Sequence, residues 1–299
     1  MRCPRLPKTG MEVNGVAEES RLEKMLRVLE YDRRIRISVL PLGKNALSRE
    51  GYLPTERVMH THPYCEQVKR TRIGVNRCMA CKSLAVKKAV ETGKPFGGTC
   101  IQGAWEAVCP VIKDGTVQAV VFVGGLLPPA EHPEGTPDSR ARTGRTDPAY
   151  ASLLQPMSEP SGYLETAQIV ADYLLTLSVA YPAYPPHERE VYLPEAVMRY
   201  ADTYYTGEIS LKRLASIFYM NEKYLGRLFK KHTGMAFSEY VNRKRLEKAA
   251  NLLEQTLTPI IGVAMDCGFN NVTYFYRLFS RCYGMSPAAY RKKRKGTSN

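Results

Sequence analysis

Two groups of residues in this chain have the types and spacing to do chemistry. One is Cys65-x12-Cys78-x2-Cys81-x18-Cys100. Four thiolates would favour zinc or an iron–sulfur cluster, and Cys78 and Cys81, one helical turn apart, could chelate one ion. The competing reading is a set of small buried hydrophobes lining a pocket, since this spacing matches no diagnostic zinc pattern. The other group is a repeat. Tyr224-Leu-Gly-Arg-Leu-Phe-Lys-Lys-His-Thr-Gly-Met235 aligns without gaps on Tyr274-Phe-Tyr-Arg-Leu-Phe-Ser-Arg-Cys-Tyr-Gly-Met285. On helical geometry Lys223, Gly226, Arg227 and Lys230 share one face of the first copy, and Thr273, Tyr276, Arg277 and Ser280 share one face of the second. Arg is a bidentate donor to guanine, Lys suits phosphate, and Thr and Tyr suit methyl groups or backbone. That chemistry is recognition of double-stranded DNA.

The elements that must position these side chains are written locally. Asn221 and Asn271 are helix N-caps, Gly234 and Gly284 stop the helices, and Ser286-Pro287 starts another. An earlier helix with a small residue, Ala215 or Ala264, precedes each copy, and the turn of the second copy is one residue longer. Leu225, Leu228 and Phe229, then Phe275, Leu278, Phe279 and Cys282, form the inward faces. Each unit therefore reads as helix, tight turn, helix. Phe237–Gln255 joins them as one helix about 28 Å long at 1.5 Å per residue. Successive major grooves on one DNA face lie about 34 Å apart, so one chain can offer two readers to adjacent grooves.

Charge supports a phosphate-rich partner. The 299 residues carry a net +14, and residues 193–299 hold 18 Lys/Arg against 8 Asp/Glu. The apolar fraction of 44% and charged fraction of 24% are those of a globular protein. No apolar run is long enough to span a bilayer, and the basic N-terminus has no apolar segment behind it. The expectation is a cytoplasmic protein with mostly reduced cysteines. No Ser/His/Asp set, phosphate loop or paired carboxylate points to catalysis.

The N-terminal half mixes helix and strand. Residues 1–18 read as a flexible tail. Leu22, Met25, Leu26 and Leu29 have helical spacing, and residues 34–40 alternate as a half-buried strand. Helices are expected around Tyr64–Arg70 and Asn76–Thr92, broken near Gly74 and stopped at Gly93 with Pro95 beyond. Residues 105–112 and 116–123 flank Asp114-Gly115 as a hairpin, the second run apolar enough for a central strand. After an exposed excursion over 127–150, Ser161–Ala180 is an amphipathic helix. It either packs on its own sheet or serves a dimer or signal. The proline-rich run 181–187 reads as irregular linker.

Residues 194–292 resemble the AraC/XylS-type DNA-binding domain, through Gly268-Phe269, Asn271, Tyr274-Phe275, Arg277, Phe279, Gly284, Ser286-Pro287 and Tyr290. Ser280 stands where a Lys is usual. Gly226 stands where relatives often have a base-reading side chain. The region from Glu19 to Ala180 is similar to PocR-type sensory domains, a PAS-like fold in regulators that respond to small molecules. Tyr64-Cys65, Arg77-Cys78, Gly93–Phe96, Cys100, Gly103, Glu106, Pro110, Asp114-Gly115 and the strand ending at Gly124 carry that similarity; Ala104-Trp105 and the Gly124-Gly125 pair depart from it.

The resulting expectation is an α+β chain. A flexible tail (1–18) precedes a PAS-like α/β sensory domain (19–181), a linker (182–193) and an all-α domain with two helix-turn-helix units and a basic tail (194–299). Function follows as sequence-specific, non-enzymatic transcriptional regulation controlled by a small molecule, metal or redox state. Lys223, Arg227, Lys230, Asn271, Thr273, Tyr276 and Arg277 are the expected DNA contacts, and Cys65, Cys78, Cys81 and Cys100 the candidate ligand or metal site. RNA polymerase and a second copy of the chain are further candidate partners. The alternative is an Ada-like alkylation-repair protein, which also joins a four-Cys site to an AraC-like domain. That family pairs its ligands as C-x3-C and C-x2-C, and only one C-x2-C occurs here.

Overall fold

The computed structural model describes residues 20–42, 55–128, 145–157, 159–180 and 186–295. The expected tail at 1–18 lies outside the described residues, as does most of the excursion expected after Leu127.

The N-terminal domain is built on a five-stranded sheet. Its path is β1 (Arg36–Pro41), β4 (Thr116–Leu127), β3 (Trp105–Lys113) and β2 (Phe96–Thr99), all antiparallel, with β5 (Gln155–Pro156) parallel to the end of β4. The hairpin falls at Asp114-Gly115, where φ is +50° and +72°, with Lys113 opposite Thr116. Glycine accepts that left-handed backbone without a steric penalty. The apolar run of β4 lies between β1 and β3 and is buried from Ala119 to Val123, as a strand covered on both faces requires.

Period-two alternation sends the two sets of side chains to different layers. Ile37, Val39, Ala107, Cys109, Val121 and Val123 face α1 (Arg21–Glu30) and α4 (Pro160–Ala180), where Leu22, Leu26, Ala167, Val170, Leu174 and Leu177 close a first core. Of the two roles open to α4 in the sequence, packing on its own sheet is what its buried face does. Leu40, Val108, Val120 and Phe122 face the opposite way, onto a 3-10 turn at Thr55–Val58 and α3 (Arg72–Thr92). A short helix, α2 (Pro63–Val68), precedes α3. The break between them falls at 69–71, earlier than Gly74. That glycine sits inside the first turn of α3, where a Cβ would come 1.8 Å from the Val68 carbonyl oxygen. It permits the close approach of the two helices rather than breaking either.

The opposite-face core does not end with the sheet. Val58, Met59, Val75 and Met79 continue into Val197, Tyr200, Leu214, Ile217, Phe218 and Phe229 of the helical domain. The stretch read as irregular linker becomes helical at Pro186 and runs on as α5 (Pro186–Tyr204). Proline suits the first helical position because the N–H it lacks has no intrahelical partner there. α6 (Leu211–Ile217) and α7 (Glu222–Thr233) form one helix-turn-helix and α9 (Ile260–Asp266) and α10 (Val272–Tyr283) another, joined by α8 (Phe237–Gln255) and followed by α11 (Pro287–Lys295). The second unit has its own core around Leu246, Leu253, Val263, Phe275 and Phe279.

Candidate nucleic-acid interface and buried polar cavity

The two reading helices are near-copies. Asn221 Oδ1 accepts from the Lys223 and Tyr224 amides at 3.0 and 3.2 Å, and Asn271 Oδ1 accepts from the Tyr274 amide at 2.8 Å. Gly234 and Gly284 end α7 and α10 in the same left-handed conformation. Between caps, Leu225, Leu228, Phe229, Phe275 and Phe279 are buried, which turns Lys223, Arg227, Lys230, Thr273 and Arg277 to solvent. Asn271 is exposed, although its oxygen is committed to capping.

Tyr276 departs from the sequence expectation. It is half-buried and meets Phe275 edge-on at 5.8 Å, packed against the core of the second unit. Tyr274 is the exposed aromatic of this helix, and Arg277 lies over its ring at 5.4 Å. Arg227 lies over Tyr224 in the same way at 6.0 Å. The sequence held the signal in the three-residue spacing repeated in both copies. Gly226 is half-buried, and a Cβ there would come 3.0 Å from Leu211 Cδ2. Its missing side chain lets α7 settle on α6.

The second site lies on the opposite face of the sheet. His60, His62, Cys65, Cys100, Glu106 and Ser38 line a cavity of about 20 Å³, room for about one water-sized molecule. Ser38 Oγ is buried there without a hydrogen-bond partner among the described residues. His60 Nε2 sits 3.6 Å from Glu106 Oε2 and accepts from Lys82 Nζ at 2.7 Å. The Lys82 ammonium lies 3.7 Å from the centre of the Phe122 ring, a cation–π contact that partly replaces lost water. Burial, with Lys82 and Lys69 nearby, holds His60 well below the ordinary imidazole range. Burial also lowers Lys82 to about 8 and raises the Glu106 carboxyl.

Among the described residues no three His, Cys, Asp or Glu side chains are placed to hold a metal ion. The four thiols are near enough to act on one another electrostatically, although they come from separate elements. Cys65 sits on α2, Cys78 and Cys81 on α3, and Cys100 beyond β2. Burial pushes the Cys65 thiol up to about 12 and Cys81 to about 11, and raises Cys100 well above the usual value. Such thiols stay protonated at neutral pH and are poor nucleophiles. Cys65 and Cys100 line the cavity as small apolar groups, the alternative that the sequence left open.

His60 also borders a second cavity, between the two domains, with Lys69, Cys78, Lys82, Tyr200 and Tyr204. Lys69 Nζ donates to the His60 carbonyl and to the Tyr204 hydroxyl, both at 2.5 Å. Arg72 pairs with Glu208 at 2.6 Å, Asn76 Oδ1 accepts from the Glu208 amide at 2.9 Å, and Ser83 bonds Ser216.

Comparison with known proteins decides the family. Residues 20–178 match the model of the sensory domain found in PocR, and residues 214–293 match a helix-turn-helix domain. The chain belongs to the PocR sensory-domain family. That domain is joined here to an AraC-type helix-turn-helix domain. Similar curated proteins include the regulatory protein PocR of Salmonella typhimurium, 32% identical over 108 residues, covering 36% of this chain and 35% of that protein. The HTH-type transcriptional activator RhaS of an Enterobacter species is 34% identical over 98 residues, covering 33% of this chain and 35% of that protein. The chain thus spans about a third of the length of the curated relatives it matches. Among solved structures, the DNA-binding domain of AdpA in complex with a target DNA is 28% identical, covering 35% of this chain and 95% of that one, with a TM-score of 0.34. The Ada-like alternative loses its ground, because the N-terminal match is to a sensory domain. No helix among the described residues is long and apolar enough to cross a membrane.

Proposed function

We propose that this chain is a sequence-specific transcriptional regulator whose N-terminal domain responds to a small polar effector, and that the effector acts by displacing the polar cluster of Glu106, His60 and Lys82, whose cavity holds about one water as it stands. DNA is read by Lys223, Arg227 and Lys230 from α7 and by Thr273, Tyr274 and Arg277 from α10. Asn271 and Tyr276 support the second reader, one as its cap and the other through its core.

The observation that carries the coupling is the position of His60. One side of it borders the cavity, and its carbonyl is tied through Lys69 to Tyr204 of α5. α5 and α6 share their core with the sheet face that floors the cavity. An effector that moves His60 or Lys82 therefore shifts the packing that holds α6 and α7. It changes DNA affinity by the difference between its own affinities for the two packings, and linkage makes the effect reciprocal.

A thermal-shift screen of the full chain against small polar metabolites identifies the effector, and fluorescence anisotropy on a duplex selected from a random pool measures DNA affinity. A compound that stabilises the chain should change that affinity at fixed salt. A stabilising compound that leaves it unchanged breaks the coupling, and failure to select any duplex removes the DNA-reading function.

A further inference from the structure

Two open grooves separate the readers. One, of about 430 Å³, is walled by Glu222, Gly226 and Lys230 of α7 and by Ser238, Asn242 and Arg245 of α8. The other, of about 350 Å³, is walled by Arg72, Glu208, Ser210, Arg213, Arg245 and Asn270. Ile209, Ser210 and Arg245 line both, so the two grooves abut and make a channel in two parts. It runs from the outward side of the first reader to Asn270, the residue before the cap of the second. Asn242, on the wall of the channel, donates to the Tyr274 hydroxyl of that second reader at 3.1 Å. One wall belongs to the sensory domain, because Arg72 is the first residue of α3.

The charge of this channel is lopsided. Glu222 and Lys230 balance at one end. At the other, three guanidinium groups meet a single carboxylate, that of Glu208. Arg245 is held by the carbonyls of Tyr205 and Gly207 at 2.6 and 2.7 Å, and Arg213 by the Glu208 carbonyl and Asn76 Oδ1 at 3.1 and 3.2 Å. A guanidinium has five donors, so these bonds position the two groups without using them up. The Arg72–Glu208 pair is exposed, at 34% and 52% for the two side chains. A pair that open to water is weak and easily exchanged.

A duplex read in two successive major grooves must bring a strand of backbone across the space between the readers. We propose that the channel seats this sugar–phosphate backbone, and that Arg72 of the sensory domain exchanges Glu208 for a DNA phosphate. The sensory domain then touches DNA itself. Any shift of α3 moves a phosphate contact directly, alongside its effect through the shared core. This rests on the DNA-reading function proposed above.

The test uses the full chain and a mixed-sequence duplex of about 40 base pairs, with affinity measured across a salt series; losing one phosphate contact lowers the slope of log affinity on log salt by about one. R72Q should show that loss and bind severalfold more weakly, R72K should recover most of both, and E208Q should bind more tightly by freeing Arg72. An unchanged slope in R72Q overturns the proposal. So does weaker binding by E208Q, which would mean that the pair only fastens the domains together. Either result alongside intact wild-type binding refutes the channel alone, whereas a wild-type chain that binds no duplex refutes the DNA-reading function and the channel with it.

Discussion

The Arg277 guanidinium lies 5.4 Å from the centre of the Tyr274 ring, one turn back on the same exposed face of α10. The aromatic surface restricts a side chain that would otherwise sample many rotamers in water. A fork held this way loses less entropy when it binds, and its planarity is what matches a guanine edge or a phosphate. Arg227 and Tyr224 repeat the arrangement in the first reader at 6.0 Å.

R277A should therefore weaken binding to a selected duplex by about 1–3 kcal/mol, the worth of one good base contact. R277K should not restore it, because lysine keeps the charge and loses the fork. Anisotropy at fixed salt measures both. Equal affinities for wild type and R277A would remove Arg277 from the reading set.

Arg57 anchors the N-terminal domain. Its guanidinium, 3% exposed, pairs with Glu23 at 2.7 Å and Glu30 at 2.5 Å, tying the turn at Thr55–Val58 to α1. R57A would leave Glu23 with Arg27 at 3.6 Å and Glu30 with Arg36 and the Ile37 amide, so a loss of about 1.5–3 kcal/mol is expected in urea unfolding. R57A combined with E23Q and E30Q should recover part of that loss. A loss below about 1 kcal/mol would show that water reaches the carboxylates.

The readers were legible because their signals are local. Asn caps, Gly stops and apolar faces lie within each dozen residues, and the repeat showed them twice. The hairpin at Asp114-Gly115 was legible for the same reason. The attachment of the sensory domain to the first reader was not. It depends on α3, whose buried face includes Lys82 as well as Val75, Met79 and Val86, and a lysine among apolar residues blurs the helical pattern. Lys69 likewise reads as a surface charge until Tyr204, far along the chain, supplies its partner. Tyr276 falls on the outward arc with Thr273 and Arg277 by helical geometry, and only its packing against Phe275 shows that it turns inward while Tyr274 is exposed. For the cysteines, types and spacing left ligand and lining roles open, and only the fold puts Cys65 and Cys100 in the wall of one cavity.

Y204F tests the fastening between domains. It removes the hydroxyl that accepts from Lys69 and leaves the ring in the shared core. A hydrogen bond from a buried ammonium contributes about 1.5–3 kcal/mol, so a stability loss in that range is expected from denaturant titration. DNA affinity should change as well, although Tyr204 lies outside both reading faces. A stability loss with unchanged affinity would mean that the Lys69–Tyr204 bond plays no part in relaying the state of the cavity.

The pH dependence of stability isolates His60. Lys82 of α3 and Lys69 after α2 face it, with His62 nearby and Glu106 of β3 opposite; burial first, then the two ammonium groups and His62, lower its pKa. A base whose folded pKa lies below its ordinary value binds fewer protons folded than unfolded. Its contribution is fully present above the ordinary value near 6.5 and is lost as pH falls below it. The slope reaches at most about 1.4 kcal/mol per pH unit until the folded pKa is passed. Glu106, whose pKa burial raises, acts in the other direction, favouring the fold below the ordinary carboxyl value and losing that effect as pH rises through its folded pKa. The difference between wild type and H60N separates the two. Measured by urea titration between pH 5 and pH 7, wild type should lose stability on acidification faster than H60N. Parallel curves would show that His60 takes up its proton as readily in the folded chain as in the unfolded one, and its buried bond from Lys82 would then carry no pH dependence.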